Sequence, residues 1–488
     1  MTRVNLTRLD FARLLQSGPL YVMFALLTVE AALSAGTTYL VIQTGRDVAN
    51  DQFVVSDLLW ILGVQSLSYV VGAISWLFAE RAGFGAYGRY MHRFAKTNRA
   101  QPTLLGDRAA REGVEPFLTG ESFHIYFELM YELEAVLRLF LGLIFNAIVL
   151  GLEIDGGLPI AYAVVFFVCV GLQYRLRHAS ANAYLENQRH TNRMTAHSYT
   201  AWDNIFSGNR YNYRLWNREF KARLREALRA QIRAIMVREG MSTVSGIISL
   251  VIVFVAIAWV ATNAHGDTET LIALAATLPR QIDLAHNVLG LAEGGNDLLA
   301  IWTRIGGAVD HFALPADADF AKRIKHGKLK LRDGEAQLVG TNPTETLAAV
   351  RALKTGRINV RGGNGSGKSS LLALLKAELG STAFYWPTTD RLCFEFATTA
   401  VHKETNDAAD EDDAESAAIV PQKLGFSAGE WQIKTLEEIV HKTNAAFYLM
   451  DEWDANLDET NRAHANALMD ELAARARVIE ISHRDPRA

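Results

Sequence analysis

Long apolar runs and polar stretches alternate along the first two thirds of the chain. A helix needs about 20 mostly apolar residues to cross the hydrocarbon core of a bilayer. Gly18–Thr44, Asp57–Leu77, Leu133–Glu153, Leu158–Tyr174 and Met241–Thr262 meet that requirement, and Thr270–Leu291 is a weaker sixth run interrupted by polar residues. The first run is long for a signal-peptide core, and no small-residue cleavage site stands out after it. After residue 324 the pattern changes to short apolar strands and amphipathic helices, separated by glycine-rich and polar turns.

Charge sharpens this division. Residues 1–324 carry 29 basic and 28 acidic side chains, a net of +1, and residues 325–488 carry 20 and 25, a net of −5. The total of −4 gives no global basic field, so the chain shows no sign of nucleic-acid binding. Two cysteines, Cys169 and Cys393, make no disulfide framework and suit a reducing compartment. The connections between apolar runs alternate in charge. The N-terminus (Arg3, Arg8, Arg13), the stretch Arg81–Arg111 and the stretch Arg175–Arg238 are basic. The connections around Ala49–Val55, Asp155 and His265–Glu269 lack that basic density. The positive-inside rule then predicts six spans with both termini cytoplasmic. The outer connections are short. The two inner ones run to about 50 and 65 residues and read as helical hairpins, with tips near Gln101–Arg111 and Asp203–Tyr213. Glu30, Arg138, Arg280, Asp283, His286 and Asn287 fall inside apolar runs, where ionisable groups often line a pathway or pair internally. Pro279 is placed to kink the last run.

In the polar third, a β-like run, Arg357–Val360, leads into Gly362-Gly363-Asn364-Gly365-Ser366-Gly367-Lys368-Ser369-Ser370, and a helix pattern, Ser370–Leu379, follows. This matches the phosphate-binding loop G-x4-G-K-[ST]. Glycines turn backbone N–H groups onto phosphate oxygens, and the helix N-terminus adds positive partial charge. Lys368 reaches the outer phosphates in such a loop, and Ser369 holds Mg²⁺. Downstream, the apolar strand Ala445–Met450 runs into Asp451 and Glu452. Asp451 suits Mg²⁺, and Glu452 suits polarisation of an attacking water.

The segment Asp451-Glu452-Trp453-Asp454-Ala455-Asn456-Leu457-Asp458 resembles the Walker B end and D-loop of ATP-binding-cassette (ABC) ATPases. Ser482-His483-Arg484, after the strand Arg477–Ile481, is similar to that family's switch histidine, and Phe426-Ser427-Ala428-Gly429-Glu430 resembles its signature sequence. With the preceding spans, the whole chain resembles an exporter-type half-transporter. The fold class implied is an all-α six-helix transmembrane domain (1–324) followed by an α/β P-loop, ABC-type nucleotide-binding domain (325–488). The resemblance implies ATP and Mg²⁺ as cofactors and Lys368, Glu452 and His483 as catalytic residues. It implies nucleotide contacts from Gly362 to Ser370 and from Ser427, Gly429 and Asp458, with Ser369 and Asp451 on the metal. It also implies pairing with a second half-transporter, identical or not, whose signature closes on this chain's nucleotide. The implied setting is a bacterial-type inner membrane and its lipids, with an amphipathic, peptidic or small-molecule substrate moved outward. Uptake by the same architecture, and a degenerate half in a heterodimer, are the alternatives.

The chain departs from the family pattern in three ways. The signature has Phe426, Ala428 and Glu430 in place of leucine, glycine and glutamine. The Tyr385-Trp386-Pro387-Thr388-Thr389 segment resembles the Q-loop, with threonine where glutamine is expected, and Gln422 is too near Ser427 to replace it. No aromatic residue lies between Phe320 and Phe384 to stack on adenine. The run Glu404–Glu415, with seven carboxylates in twelve residues, reads as a solvated insertion.

Overall fold

The computed structural model describes residues 6–482, except 100, 108–109, 112–113, 116, 265–266, 315–318, 334–335, 339–342, 353–354, 389–391, 398–425 and 456. His483, Asn456, Thr389, Gln422 and the acidic run Glu404–Glu415 therefore lie outside the described residues. The chain forms two compact units. One comprises Asn5–His92 and Phe117–Asp310, and the other comprises Met1–Val4, Arg93–Pro116 and His311–Ala488.

The first unit is helical. Its elements are α1 (Arg8–Arg13), α2 (Gly18–Ala49), α3 (Val55–Asn98, continuing into the second unit), α4 (Ser122–Glu153), α5 (Gly157–Ser198), α6 (Ala201–Phe206), α7 (Arg210–Asn263), α8 (Thr268–Ala276) and α9 (Leu278–Asp310). Helices α2, α3, α4 and α7, and the Gly157–Arg175 part of α5, are long and apolar enough to cross a membrane. Their outward faces expose large apolar side chains such as Leu62, Val70, Phe167 and Val255. Such surface is costly in water and at home in hydrocarbon. Their inward faces bury a core that includes Ile42, Leu150, Tyr162, Val165 and Val253, joined by Leu284 and Val288 of α9.

The weaker sixth run is divided between two helices, and neither is among the five that qualify by length and composition. Thr270–Leu291 is two helices, α8 and α9, interrupted at Thr277. Pro279 lacks the N–H that would continue the hydrogen-bond ladder into α8. The Thr277 hydroxyl donates back to the Ala273 carbonyl at 2.8 Å and helps to close α8. The kink expected at Pro279 is present here as a break between two helices.

The second unit is built on a six-stranded sheet. Its strands are β1 (Lys330–Asp333), β2 (Ala336–Leu338), β3 (Gly356–Arg361), β4 (Ala383–Trp386), β5 (Phe447–Asp451) and β6 (Arg477–Ile481), and their order is β2-β1-β3-β6-β5-β4. The β3–β6, β6–β5 and β5–β4 pairs are parallel, and β1 pairs antiparallel with both β2 and β3. Parallel strands need covered faces, so β5 and β6 are almost continuously buried, and apolar except at Asp451, Arg477 and Glu480. Helices α10 (Pro343–Ala352), α11 (Lys368–Leu379), α12 (Ala428–Lys442) and α13 (Glu459–Arg475) complete the unit. One apolar core gathers Ile358, Val360, Leu372, Leu375, Leu449 and Ile479, and a second gathers Leu436, Ile439, Tyr448, Met450, Met469 and Val478. The turn Pro102–Leu104, at the first predicted hairpin tip, also packs on α11 within this unit. Asn98 ties the segment down by donating to the Phe312 carbonyl at 2.9 Å, and Asp107 pairs with Arg323 at 3.6 Å.

Candidate functional site

Four parallel strands, β3, β6, β5 and β4, end on the same edge of the sheet. Ligand sites in open parallel sheets form at such carboxyl ends. From β3 the chain enters the turn Gly362–Gly367 and then α11. Gly365 and Gly367 adopt φ of 72° and 90°, the left-handed region that favours glycine. A Cβ on Gly367 would also lie 2.7 Å from the Arg323 carbonyl oxygen. Gly363, Asn364 and Gly365 at the crest are exposed, whereas Ser366 is buried and its backbone N–H donates to the Gly363 carbonyl at 3.2 Å. Lys368 folds back and donates from Nζ to the Gly362 carbonyl at 3.0 Å. Its ammonium thereby sits against the turn that it follows.

β6 lies between β3 and β5, so the backbone leading to His483 leaves the sheet between the glycine turn and Asp451. At the end of β5, Asp451 accepts a hydrogen bond from the Ser369 hydroxyl at 3.2 Å. The predicted metal pair is thus brought together, while Ser370 continues α11. A hydroxyl beside a carboxylate is an oxygen donor set suited to Mg²⁺. Glu452 follows with φ of 53°, an uncommon conformation for a residue with a Cβ. Four bonds hold the turn there. Its N–H donates to the Ile481 carbonyl at 3.0 Å, its carbonyl accepts from the Ala455 N–H at 3.1 Å, and Gln432 of α12 donates to the Glu452 and Trp453 carbonyls at 3.4 and 2.7 Å.

Burial pushes the Asp451 carboxyl above its ordinary range, and the adjacent Glu452 charge adds to this. Hydrogen bonds from Ser369 and Thr388 and the charge of Lys368 oppose the shift. The folded chain therefore binds this proton more tightly than the unfolded chain does. Stability falls as pH rises through the ordinary carboxylate range and on past the raised folded value. Asp451→Asn is expected to raise the thermal midpoint of the metal-free protein near pH 7, with the gain shrinking toward about pH 4. Thermal scans at the two pH values check this, and an equal midpoint for both forms at neutral pH would contradict it.

The bond from Thr388 was not foreseen. Thr388 stands just beyond β4, in the segment that resembles the Q-loop, and its side chain reaches Asp451 because β4 pairs directly with β5. Burial, with the Asp451 charge, also raises the nearby Tyr385 phenol.

Ser427 and Gly429 open α12. Ser427 is the N-cap, and its hydroxyl accepts from the Glu430 N–H at 3.3 Å while the Glu430 carboxylate accepts from the Ser427 N–H at 2.8 Å. The departure from glutamine at 430 thus completes a capping box. Asp458 caps α13, accepting from the Asn461 N–H at 2.8 Å.

Behind the acidic pair lies a polar network that the sequence reading did not identify. Glu480 of β6, 1% exposed, accepts from Trp453 Nε1 at 2.9 Å and from Arg357 of β3 at 3.0 and 2.8 Å. Arg357 also reaches Asp470 on α13 at 2.8 Å. The network links β3 and β6 to the residue that follows Glu452.

A scan of the chain against protein-family models gives no match, and a search among curated proteins gives none. The functional reading therefore rests on the geometry of these residues.

Proposed function

We propose that the chain is an ATP-driven transporter half that exports an amphipathic or peptidic compound from the cytoplasm across a bacterial-type inner membrane, with both termini cytoplasmic. The observation that carries this reading is the gathering of the glycine turn, Lys368, Ser369, Asp451 and Glu452 at the carboxyl ends of neighbouring parallel strands. The backbone N–H groups of Gly363–Ser369 would cradle the phosphates of ATP, and Lys368 would swing from the Gly362 carbonyl onto the outer phosphates. Ser369 and Asp451 would hold Mg²⁺, which supplies charge neutralisation at the phosphates. Glu452 would orient the attacking water and take up its proton. His483, next along the chain from Ser482, would contact the terminal phosphate as the ABC resemblance implies.

The resemblance also implies that Ser427 and Gly429 act in trans, with Asp458 at the contact between cassettes, so that two chains form the working unit. Nucleotide must then bind the closed pair more tightly than the open one in order to shift the equilibrium. The apolar helices supply a multi-pass membrane part for that motion to drive.

A second reading, a degenerate half that needs a competent partner, is favoured by Thr388 at the position of the missing glutamine. The deciding experiment is ATP hydrolysis by the purified chain alone in lipid. Vanadate-sensitive turnover is expected for a self-sufficient homodimer. Nucleotide binding without turnover would favour the degenerate half.

A further inference from the structure

Charged and polar groups with unused bonding capacity line one seam of the helical unit. Helices α2 and α4 pack together, and polar residues recur on them at four-residue steps. On α2 these are Glu30, Ser34 and Thr38. On α4 they are Glu134 and Arg138, then Asn146 two turns on. Such steps return to the same helix face.

At the first level, Arg138 bonds both Glu30 and Glu134 and donates to Ser75 of α3 at 3.3 Å. One guanidinium serves two carboxyl groups. Glu134 is enclosed, and Glu30 Oε2 is buried with no hydrogen-bond partner. Gly72 lets α3 approach closely, since a Cβ there would lie 2.8 Å from Glu30 Oε1.

At the second level, Arg280 of α9 donates to the Ser34 hydroxyl and, at 3.2 Å, to Asn146 Oδ1. That same oxygen accepts from the Thr38 hydroxyl at 2.6 Å. Both acceptors of Arg280 are neutral, and among the described residues no carboxylate pairs with it. Asp283, one turn along α9, is exposed and acts on it only through space. Tyr69 of α3 and Tyr162 of α5 are also within electrostatic range of Arg280. Tyr162 is 2% exposed, and its hydroxyl has no hydrogen-bond partner. A permanent cation and an unused O–H donor thus lie within electrostatic range of each other, and among the described residues no carboxylate pairs with the cation.

Ser34 is one turn from Glu30, and Asn146 is two turns from Arg138. At a rise of about 1.5 Å per residue, the two levels lie about 6–12 Å apart along the helix axes. Uncompensated charge among apolar helices is costly, and it marks sites where a ligand supplies the missing partner. An extended peptide covers about 3.3–3.6 Å per residue, so two or three residues bridge the two levels.

We propose that this seam recognises a short zwitterionic peptide, its carboxylate on Arg280 and Tyr162 and its amine on Glu30 and Glu134. The inference deepens the peptidic substrate class proposed above and rests on that reading for transport, but binding itself needs no nucleotide. The test uses the full chain in lipid nanodiscs without ATP, with equilibrium binding of labelled trileucine and competition by its N-acetyl, C-amide and doubly blocked forms. Wild type is expected to bind the zwitterion about tenfold or more tighter than either singly blocked form, the scale of one buried charge-assisted hydrogen bond. Arg280→Gln is expected to weaken trileucine by about the same factor while leaving the C-amide unchanged. Glu30→Gln is expected to weaken trileucine while leaving the N-acetyl form unchanged. Arg280→Lys keeps the charge and is expected to restore discrimination against the amide, which separates recognition from misfolding. Equal affinity of all four forms for wild type would overturn the proposal. So would a uniform loss for every probe in Arg280→Gln that Arg280→Lys does not relieve. Because no nucleotide is present, either result is independent of whether the chain hydrolyses ATP.

Discussion

Glu452→Gln is expected to reduce ATP turnover by about 10²–10⁴-fold, the usual contribution of a positioned general base. Nucleotide binding should survive, because the amide keeps the shape of the side chain and the phosphate-holding groups belong to Gly362–Ser369. The backbone at Glu452 is held in the left-handed region by its N–H bond to the Ile481 carbonyl and by bonds to its carbonyl from Ala455 and Gln432, none of which involves its carboxylate. The substitution therefore removes a charge and leaves these backbone bonds in place. If ATP closes two chains together, the variant should also accumulate as a nucleotide-loaded dimer, visible by size-exclusion chromatography. Turnover within about threefold of wild type would remove Glu452 from the role proposed for it, since a working general base contributes far more.

The second large effect concerns stability. Arg357→Met leaves Glu480 buried, with Trp453 as its remaining hydrogen-bond partner among the groups described above. Breaking a buried ion pair from one side costs about 3–5 kcal/mol, because the surviving charge is uncompensated. Desolvation works against the pair, yet hydrogen bonds from Arg357 and Trp453 satisfy both Glu480 oxygens, which is the arrangement in which such a pair is retained. The expected result is a markedly lower temperature at which nucleotide binding is lost. The double variant Arg357→Met/Glu480→Gln should recover part of that loss, because it removes the stranded charge along with its partner. A double variant no more stable than the single one would show that the cost lies in packing against Trp453, whose ring Arg357 also covers at 5.7 Å.

Local signals made part of this protein legible in its sequence. β3, α11, β5 and β6 fall within one or two residues of the runs that predict them. Apolar strands ending in glycine or acid, and a helix opening at Lys368, are written in consecutive residues. The five apolar helices were legible for the same reason, since length and composition are properties of a window. The failures are non-local or hinge on single residues. The closure of α8 hinges on the Thr277 hydroxyl, beside the Pro279 at which a kink is expected. The bond from Thr388 to Asp451 requires knowing that β4 lies beside β5, and Arg357 meets Glu480 only because β3 lies beside β6. Sequence spacing carries neither fact. Arg138 and Arg280 stood out as charges among apolar residues. That one has two acidic partners and the other none among the described residues became visible only when α2, α4 and α9 were placed together.

The proposed function stands on nucleotide occupying the glycine turn, and binding of ATP to the purified chain tests that most directly. Saturable, Mg²⁺-dependent binding of one ATP per chain, lost in Lys368→Ala at an unchanged thermal midpoint, is the predicted result. Absence of saturable binding by the folded wild-type chain, or binding that Lys368→Ala leaves intact, would contradict the account.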